Sequence, residues 1–273
     1  MDIDELITTK RSFLVMLDSR NGTRWNNGSW NSSVYFEFEE PIRIPKNAIQ
    51  CLCSVLSFSA PNSLYIINET NNILSITLSG VPFTYTIPYG NYNAKTFITA
   101  MMSILDSGFS MALNTLTNVF TLTHSQYDFT INPSSTIYRV MGFSKNTTYY
   151  STNKTLAMPY NCNFNGLNSL NITFANLNTP NIDSFNKSNS SIIQSVPIVA
   201  GSNQIIFNKC HDFNFEIKQD IIDYIEINIQ DDLENLLNFN NHNWNLTLYF
   251  TIIYDKERFP NSNHFHQILA NGF

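Results

Sequence analysis

His264 and His266 stand one residue apart near the end of the sequence, and alternate residues of an extended segment face the same side, so the pair could share a metal ion. No further ligand stands close by, and a solvated tail is the expectation. Cys51 and Cys53 are also alternate residues on an apparent strand, while Cys162 and Cys210 are isolated from any His or Cys at ligand spacing. Buried free thiols are expected there, rather than a disulfide framework or a zinc site. Asp231 and Asp232 are adjacent carboxylates that could bind calcium or act as a catalytic pair, but turn chemistry accounts for them about as well. GxSxG, the phosphate-binding loop, GxGxxG and HExxH are absent from the sequence, and none of the five His stands beside a Cys or Ser in a recognisable constellation. No catalytic, cofactor-binding or metal residue is therefore assigned, and the chain is expected not to be an enzyme.

Composition narrows the remaining classes. The sequence has 273 residues, 43% hydrophobic and 14% aromatic, enough for one large β core or two smaller ones. Only 13% are charged, about half the usual share, so amides and hydroxyls must supply most of the surface polarity. The abundance of Asn favours many short strands joined by turns. Net charge is -6, with ten of the 21 acids from Asp212 onward and only Glu69, Asp106, Asp128 and Asp183 between 60 and 211. No basic cluster could neutralise a phosphate backbone, so direct nucleic-acid binding is not expected. The acidic start MDIDEL lacks an apolar core, and no run of about eighteen apolar residues occurs, so neither a secretory signal nor a membrane span is expected. The Asn-x-Ser/Thr sites, Asn21, Asn31, Asn146 and Asn245 among them, are then expected to stay unmodified.

The elements that would position any site are mostly strands. Residues 222–230 alternate β-branched or aromatic with polar residues, and Trp244 to Ile252 restart the pattern after Asp231, Asp232 and an Asn-rich interruption. These read as a pair of long, half-buried antiparallel strands. Further strands are expected at 34–39, 48–59, 64–67, 74–78, 83–87, 116–123, 128–131, 155–158 and 170–174. FLVML at 13–17 reads as a short strand or docking segment. The period changes after PYGNYN: Phe97, Ile98, Met101, Met102 and Leu105 predict an amphipathic helix over 94–106. A second, short helix is expected over 134–141, capped by Ser134 or Ser135 and stopped at Gly142. Residues 176–190 read as a long exposed connection.

About eight strands lie outside the 72–143 stretch. The fold expected is all-β, an antiparallel eight-stranded jelly-roll sandwich with a small inserted α+β unit. Its parts are an N-terminal segment and arm at 1–32, a core from 33–71 and 144–255, an inserted β-α-β-β-α unit at 72–143, and a tail at 256–273. In the arm, DSRNGTRWNNGSWNSS is loop by composition, yet holds Arg20, Arg24, Trp25 and Trp30. Trp is costly to leave in water, so the two must pack, either in a pocket of the same chain or on a neighbouring subunit. On the second choice Arg20, Arg24, Trp25 and Trp30 are the candidate assembly contacts.

Several stretches in order resemble the penton, or minor capsid, proteins of virophages, polinton-like viruses and related large DNA viruses. They are LDSRNGT at 17–23, YFEFEEPIRIPKNAIQCLCSVLSFSAPNSLYII at 35–67, IPYGNYNAKTFITAM at 87–101, RVMGF at 139–143, SVPIV at 195–199 and INIQDDLENLLNFNNHNWNLTLYF at 227–250. The resemblance implies a structural jelly-roll protein that forms the homopentameric vertex of an icosahedral double-stranded DNA virus particle. It would be made in the host-cell cytoplasm and surrounded in the virion by a double-jelly-roll major capsid protein. A rival from another class is a lectin-like or receptor-binding jelly-roll module, because the fold hosts both roles.

Overall fold

The computed structural model describes residues 8–24, 31–177, 181–182, 189–209 and 213–255. The chain divides into two compact units, Met1–Leu64 with Ser169–Phe273, and Tyr65–Asn168. The first unit begins with β1 (Thr8–Asp18), β2 (Thr23–Arg24), β3 (Ser33–Arg43) and β4 (Ala48–Pro61). The second holds β5 (Ile73–Leu78), β6 (Val81–Thr86), α1 (Ala94–Ile104), β7 (Phe109–Asn114), β8 (Val119–His124), β9 (Phe129–Ile131), α2 (Tyr138–Met141), β10 (Tyr149–Tyr150) and β11 (Thr155–Ala157). The first resumes with β12 (Ser169–Phe174), β13 (Asn181–Ile182), β14 (Asn189–Ser190), β15 (Ile192–Pro197), β16 (Ile205–Lys209), β17 (Phe215–Ile217), β18 (Ile221–Gln230) and β19 (Asn245–Asp255).

Strand order identifies the fold of the first unit. One sheet runs β1-β19-β4-β16, with β17 also on β4, and the other runs β15-β12-β18-β3-β2. β16 pairs with Ser57–Pro61 and β17 with Cys51–Cys53, so the two occupy one edge of β4 as a single interrupted strand. Counted that way, and leaving aside the short β2, β13 and β14, eight strands remain. The first, eighth, third and sixth form one sheet and the second, seventh, fourth and fifth the other, all antiparallel. That is the jelly-roll order. The fold is all-β and jelly-roll-like, as the strand pattern and strand count led one to expect.

Two regular periods of two build this sandwich. Phe58 of β4, with Leu246, Leu248 and Phe250 of β19, is buried from one sheet, and Val34, Phe36, Ile225 and Ile227 from the other. Trp244, fully buried just before β19, lies edge-on to Phe36 at 5.9 Å and tilted against Phe58 at 6.4 Å, so one indole touches both sheets. Phe174 of β12 packs edge-on against Phe215 of β17 at 5.5 Å and joins the sheets again. Each such buried aromatic contributes on the order of 2–3 kcal/mol of transfer free energy.

The strands at 222–230 and 244–252 are present but do not pair with each other: β18 lies between β12 and β3, and β19 between β1 and β4. The connection between them buries Leu237 and Phe239, so it crosses the core instead of turning back as a hairpin. FLVML is the middle of an eleven-residue strand paired to β19 from Thr8 to Asp18. Residues 8–18 of the expected arm are therefore part of the sandwich. Residues 64–67 form no strand beyond a single bridge between Ile67 and Gly90.

The second unit packs sheets β10-β9-β5-β6 and β11-β8-β7 with α1 around Phe97, Met101, Phe120 and Ile131. Helix α1 starts at a reciprocal cap: Asn93 Oδ1 accepts from the Thr96 N–H at 3.0 Å, and Thr96 Oγ1 accepts from the Asn93 N–H at 3.0 Å. β10 pairs with β9 and β11 with β8, so the unit extends past the expected 143 and takes in loop-rich sequence whose two- and three-residue strands carry no readable period. Helix α2 is only four residues long and has no side-chain cap. Ser135, expected as that cap, instead accepts from the Ser75 N–H of β5 at 2.9 Å. Gly142 does end the helix, in the left-handed conformation at φ 86.

Candidate assembly surface

The two sandwich faces that point away from the core differ in chemistry. On the β1-β19-β4-β16 sheet, register places Leu14 beside Tyr249 and Met16 beside Thr247. Tyr249 continues to Ser54 of β4, and Thr247 to Ser57. At the far edge Phe207 stands opposite Ser59 and Ile205 opposite Pro61. Because Leu17, Leu246, Leu248 and Phe250 are buried, period two sends all of these outward. Met16 is 77% exposed and Phe207 64%. Charge is confined to the margins: Lys10 and Asp18 toward the two ends of β1, Lys209 and Glu216 along β16 and β17. The centre, on β19 and β4, is uncharged and hydroxyl-bearing. Ser12 Oγ and Thr251 Oγ1 lie 3.1 Å apart, and hydrogen bonding to Ser12, then to Thr251, holds the Tyr249 phenol below its ordinary pKa.

The outward face of the opposite sheet carries carboxylates in its middle. Glu37 stands opposite Tyr224 and Glu226 opposite Tyr35, whose rings meet at 4.8 Å. Burial raises the Glu226 carboxyl above the usual range, and the backbone N–H of Glu226 donates to Asn176 Oδ1 at 2.9 Å. A face with acids at its centre suits water. One with exposed Leu, Met, Ile and Phe along its two edge strands and an uncharged, hydroxyl-bearing centre between them has the anatomy of a contact surface.

Beside that surface, at the end of β1, the loop carrying the candidate contacts is tied down at both ends. Ser19 N–H donates to the Trp244 carbonyl at 3.0 Å, and Ser19 Oγ accepts from the Trp244 N–H at 3.0 Å. At the other end Asn31 Nδ2 donates to the His242 carbonyl at 2.8 Å and to Asn243 Oδ1 at 3.0 Å. Gly22 is obligatory in this loop, because a Cβ there would stand 2.3 Å from Val34 Cγ1.

Of the four expected contact residues, Arg20 is exposed and turned onto its neighbour Asp18, donating from Nε at 3.0 Å and from Nη2 at 2.5 Å. Its side-chain hydrogen bonds, ahead of its charge, draw the Asp18 carboxyl below the usual range. Arg24 is exposed on β2 opposite Val34. Trp25 and Trp30 lie outside the described residues. Period counting passed over the outward residues Leu14, Met16, Ile205, Phe207 and Tyr249, although one signal was there: FLVML is apolar on both parities, as in a strand covered on both faces.

The other chemically suggestive groups take structural places. Cys51 and Cys53 point into the sandwich from β4, and burial pushes the Cys51 thiol up to about 11 and Cys53 well above its ordinary value. Cys162 is half-buried; Cys210, His264 and His266 lie outside the described residues. Asp231 is buried and organises its turn: Oδ1 accepts from the N–H of Leu233 and of Asn235, each at 2.8 Å, and Oδ2 from Asn235 Nδ2 at 2.9 Å. Its lone pairs serve the turn, as expected of Asx chemistry. Among the described residues no group of three or more His, Cys, Asp or Glu is placed to hold a metal ion, and no helix is long and apolar enough to cross a membrane.

No protein-family profile and no curated protein matches the chain. Among solved structures, the crystal structure of the selenomethionine-labelled mavirus penton protein aligns with 89% of this chain and 100% of its own, at 11% identity and a TM-score of 0.44. The fold stands on its own strand order.

Proposed function

We propose that this chain is a non-enzymatic capsid subunit that closes into a homopentamer and forms the fivefold vertex of an icosahedral double-stranded DNA virus particle. It is made in the host-cell cytoplasm and ends in the virion, seated among double-jelly-roll major capsid proteins. The observation that carries the reading is the chemical asymmetry of the sandwich. The β1-β19-β4-β16 sheet turns Leu14, Met16, Phe207 and Ile205 outward around an uncharged centre, while the opposite sheet turns Glu37 outward. The ordered penton-like motifs of the sequence support it, and so does the jelly-roll order. In a ring each subunit offers one surface to a different surface of the next, and closure repeats a modest contact five times. The loop bearing Arg20, Arg24, Trp25 and Trp30, anchored at Ser19 and Asn31, is the second half of that contact in this reading.

Light scattering of the purified protein over a concentration series tests it. A mass near five times the 31.3 kDa chain is expected. A monomer at every concentration, with no incorporation into particles on co-expression with a major capsid protein, overturns the reading.

A further inference from the structure

The second unit carries a polar and aromatic site of a different kind. Asp128 leads into β9 and is exposed. Its Oδ1 accepts from Ser151 Oγ at 3.1 Å and from the Lys154 N–H at 2.6 Å. Oδ2 has no protein donor among the described residues. Each partner in this bond has an exposed tyrosine as its chain neighbour. Tyr127 precedes Asp128 and is 50% exposed; Tyr150 precedes Ser151 and is 72% exposed.

Tyr127 and Asp128 are held in place before any ligand arrives. Tyr127 stacks on His124 at 5.6 Å, and His124 Nδ1 accepts the backbone N–H of Tyr127 at 3.0 Å and of Gln126 at 3.2 Å. His124 is itself wedged against Phe109 at 4.7 Å and over Gly108, where a Cβ would stand 2.4 Å from Nε2. On the other side, Thr152 and Thr155 exchange backbone hydrogen bonds around Asn153 and Lys154, both left-handed at φ 51 and φ 66. This tight turn aims the Lys154 N–H at Asp128. Tyr150 lies opposite Thr130 of β9, and its neighbour Tyr149 faces the core beside Phe143. Alternation therefore turns Tyr150 to the outer face.

A carboxylate oxygen that can only accept calls for a ligand rich in donors. Exposed aromatic rings call for a ligand with an apolar face, and Tyr127, fixed on His124, costs little entropy on binding. Charge is sparse throughout this unit, which carries only Glu69, Asp106 and Asp128 as acids, so strong ionic attraction is not its principle. A pyranose meets both demands, with C–H groups on one face and neighbouring hydroxyls at its edge. We propose that Tyr127, Asp128 and Tyr150 form a binding site for a neutral glycan, with a sugar ring on the tyrosines and its vicinal hydroxyls donating to Asp128 Oδ2. A single site of this openness binds weakly, and repetition in a ring would raise the apparent affinity. The site belongs to the second unit and does not depend on the capsid reading.

Saturation-transfer NMR of the full-length protein with a panel of neutral hexoses and N-acetylhexosamines, read beside the unfolding midpoint, tests the site. Transfer to the ring protons of at least one sugar is expected, abolished in Tyr127→Ala with Tyr150→Ala. Asp128→Asn keeps the acceptor for Ser151 and Lys154 but replaces the free oxygen with a donor. It should weaken binding about tenfold, the scale of one charge-assisted hydrogen bond. Transfer to no sugar in the panel overturns the proposal. So does transfer that all three substitutions leave unchanged while the midpoint stays at the wild-type value. Should Asp128→Asn lower the midpoint, the tyrosine pair, exposed and outside the core, decides alone.

Discussion

The indole N–H of Trp244 donates to the backbone carbonyl of Asn31, so the residue before the last strand of the sandwich holds the end of the loop that began after the first. Asn31 is buried, and its amide spans the His242 carbonyl and Asn243. One side chain thus fills the space between two sheets and fastens a loop.

Trp244→Phe is expected to retain most of the packing and orphan that buried carbonyl, at about 1–3 kcal/mol. Trp244→Ala adds a cavity and should cost about 3–5 kcal/mol. Urea unfolding midpoints check both, and a Phe variant as stable as wild type would show that the bond contributes nothing.

On the outward sheet face the expectation is reversed. Met16→Lys with Phe207→Lys should leave unfolding within about 0.5 kcal/mol of wild type, since neither side chain is buried in the isolated chain. The solution mass should drop toward that of one chain. An oligomer that survives both lysines would put the contact elsewhere.

Gly142 meets two constraints at once. Its φ of 86 is left-handed, and a Cβ would stand 2.3 Å from the Tyr160 carbonyl oxygen. Gly142→Ala should destabilise the second unit by about 3 kcal/mol, more than the left-handed backbone alone would cost. Hydrogen exchange in residues 65–168 reads the effect directly, and unchanged protection would contradict it.

The sandwich thiols set a dependence on alkaline pH. A thiol with its pKa raised in the folded state stays neutral there while its unfolded counterpart ionises. The contribution is therefore complete below the ordinary value near 9 and is lost as pH rises through about 11 for Cys51. Alkylation at pH 8, followed by peptide mass spectrometry, should leave Cys51 and Cys53 unmodified until denaturant is added. Labelling of either in the native protein would mean that the β4 face opens.

The sequence displayed what a single strand can show about itself. Residues 222–230 and 245–252 alternate cleanly because one side of each faces the core, and the change of period after PYGNYN announced α1. It did not display partnership. β18 and β19 look like a hairpin because they are neighbours in the chain, but sheet assignment depends on Leu237 and Phe239 crossing the core, and a single apolar residue in a loop has no period. The outward residues of β1 and β16 were hidden for a related reason, since an exposed Met or Phe in a strand is counted as core until its register is known. Asp128, Ser151 and Lys154 come together only through the pairing of β9 with β10 and the turn at 153–154, across separations that no local window spans.

Asn118, Asn146, Asn153, Asn203, Asn240 and Asn241 all carry positive φ, a conformation in which glycine is the usual residue, and the whole chain holds only 9 Gly and 10 Pro. Glycine and proline codons open with paired G or paired C, and those of asparagine with paired A. By spelling its sharp corners in asparagine, the protein frees a many-turned β architecture from the base composition that such turns ordinarily demand, and a genome starved of G and C can still encode it.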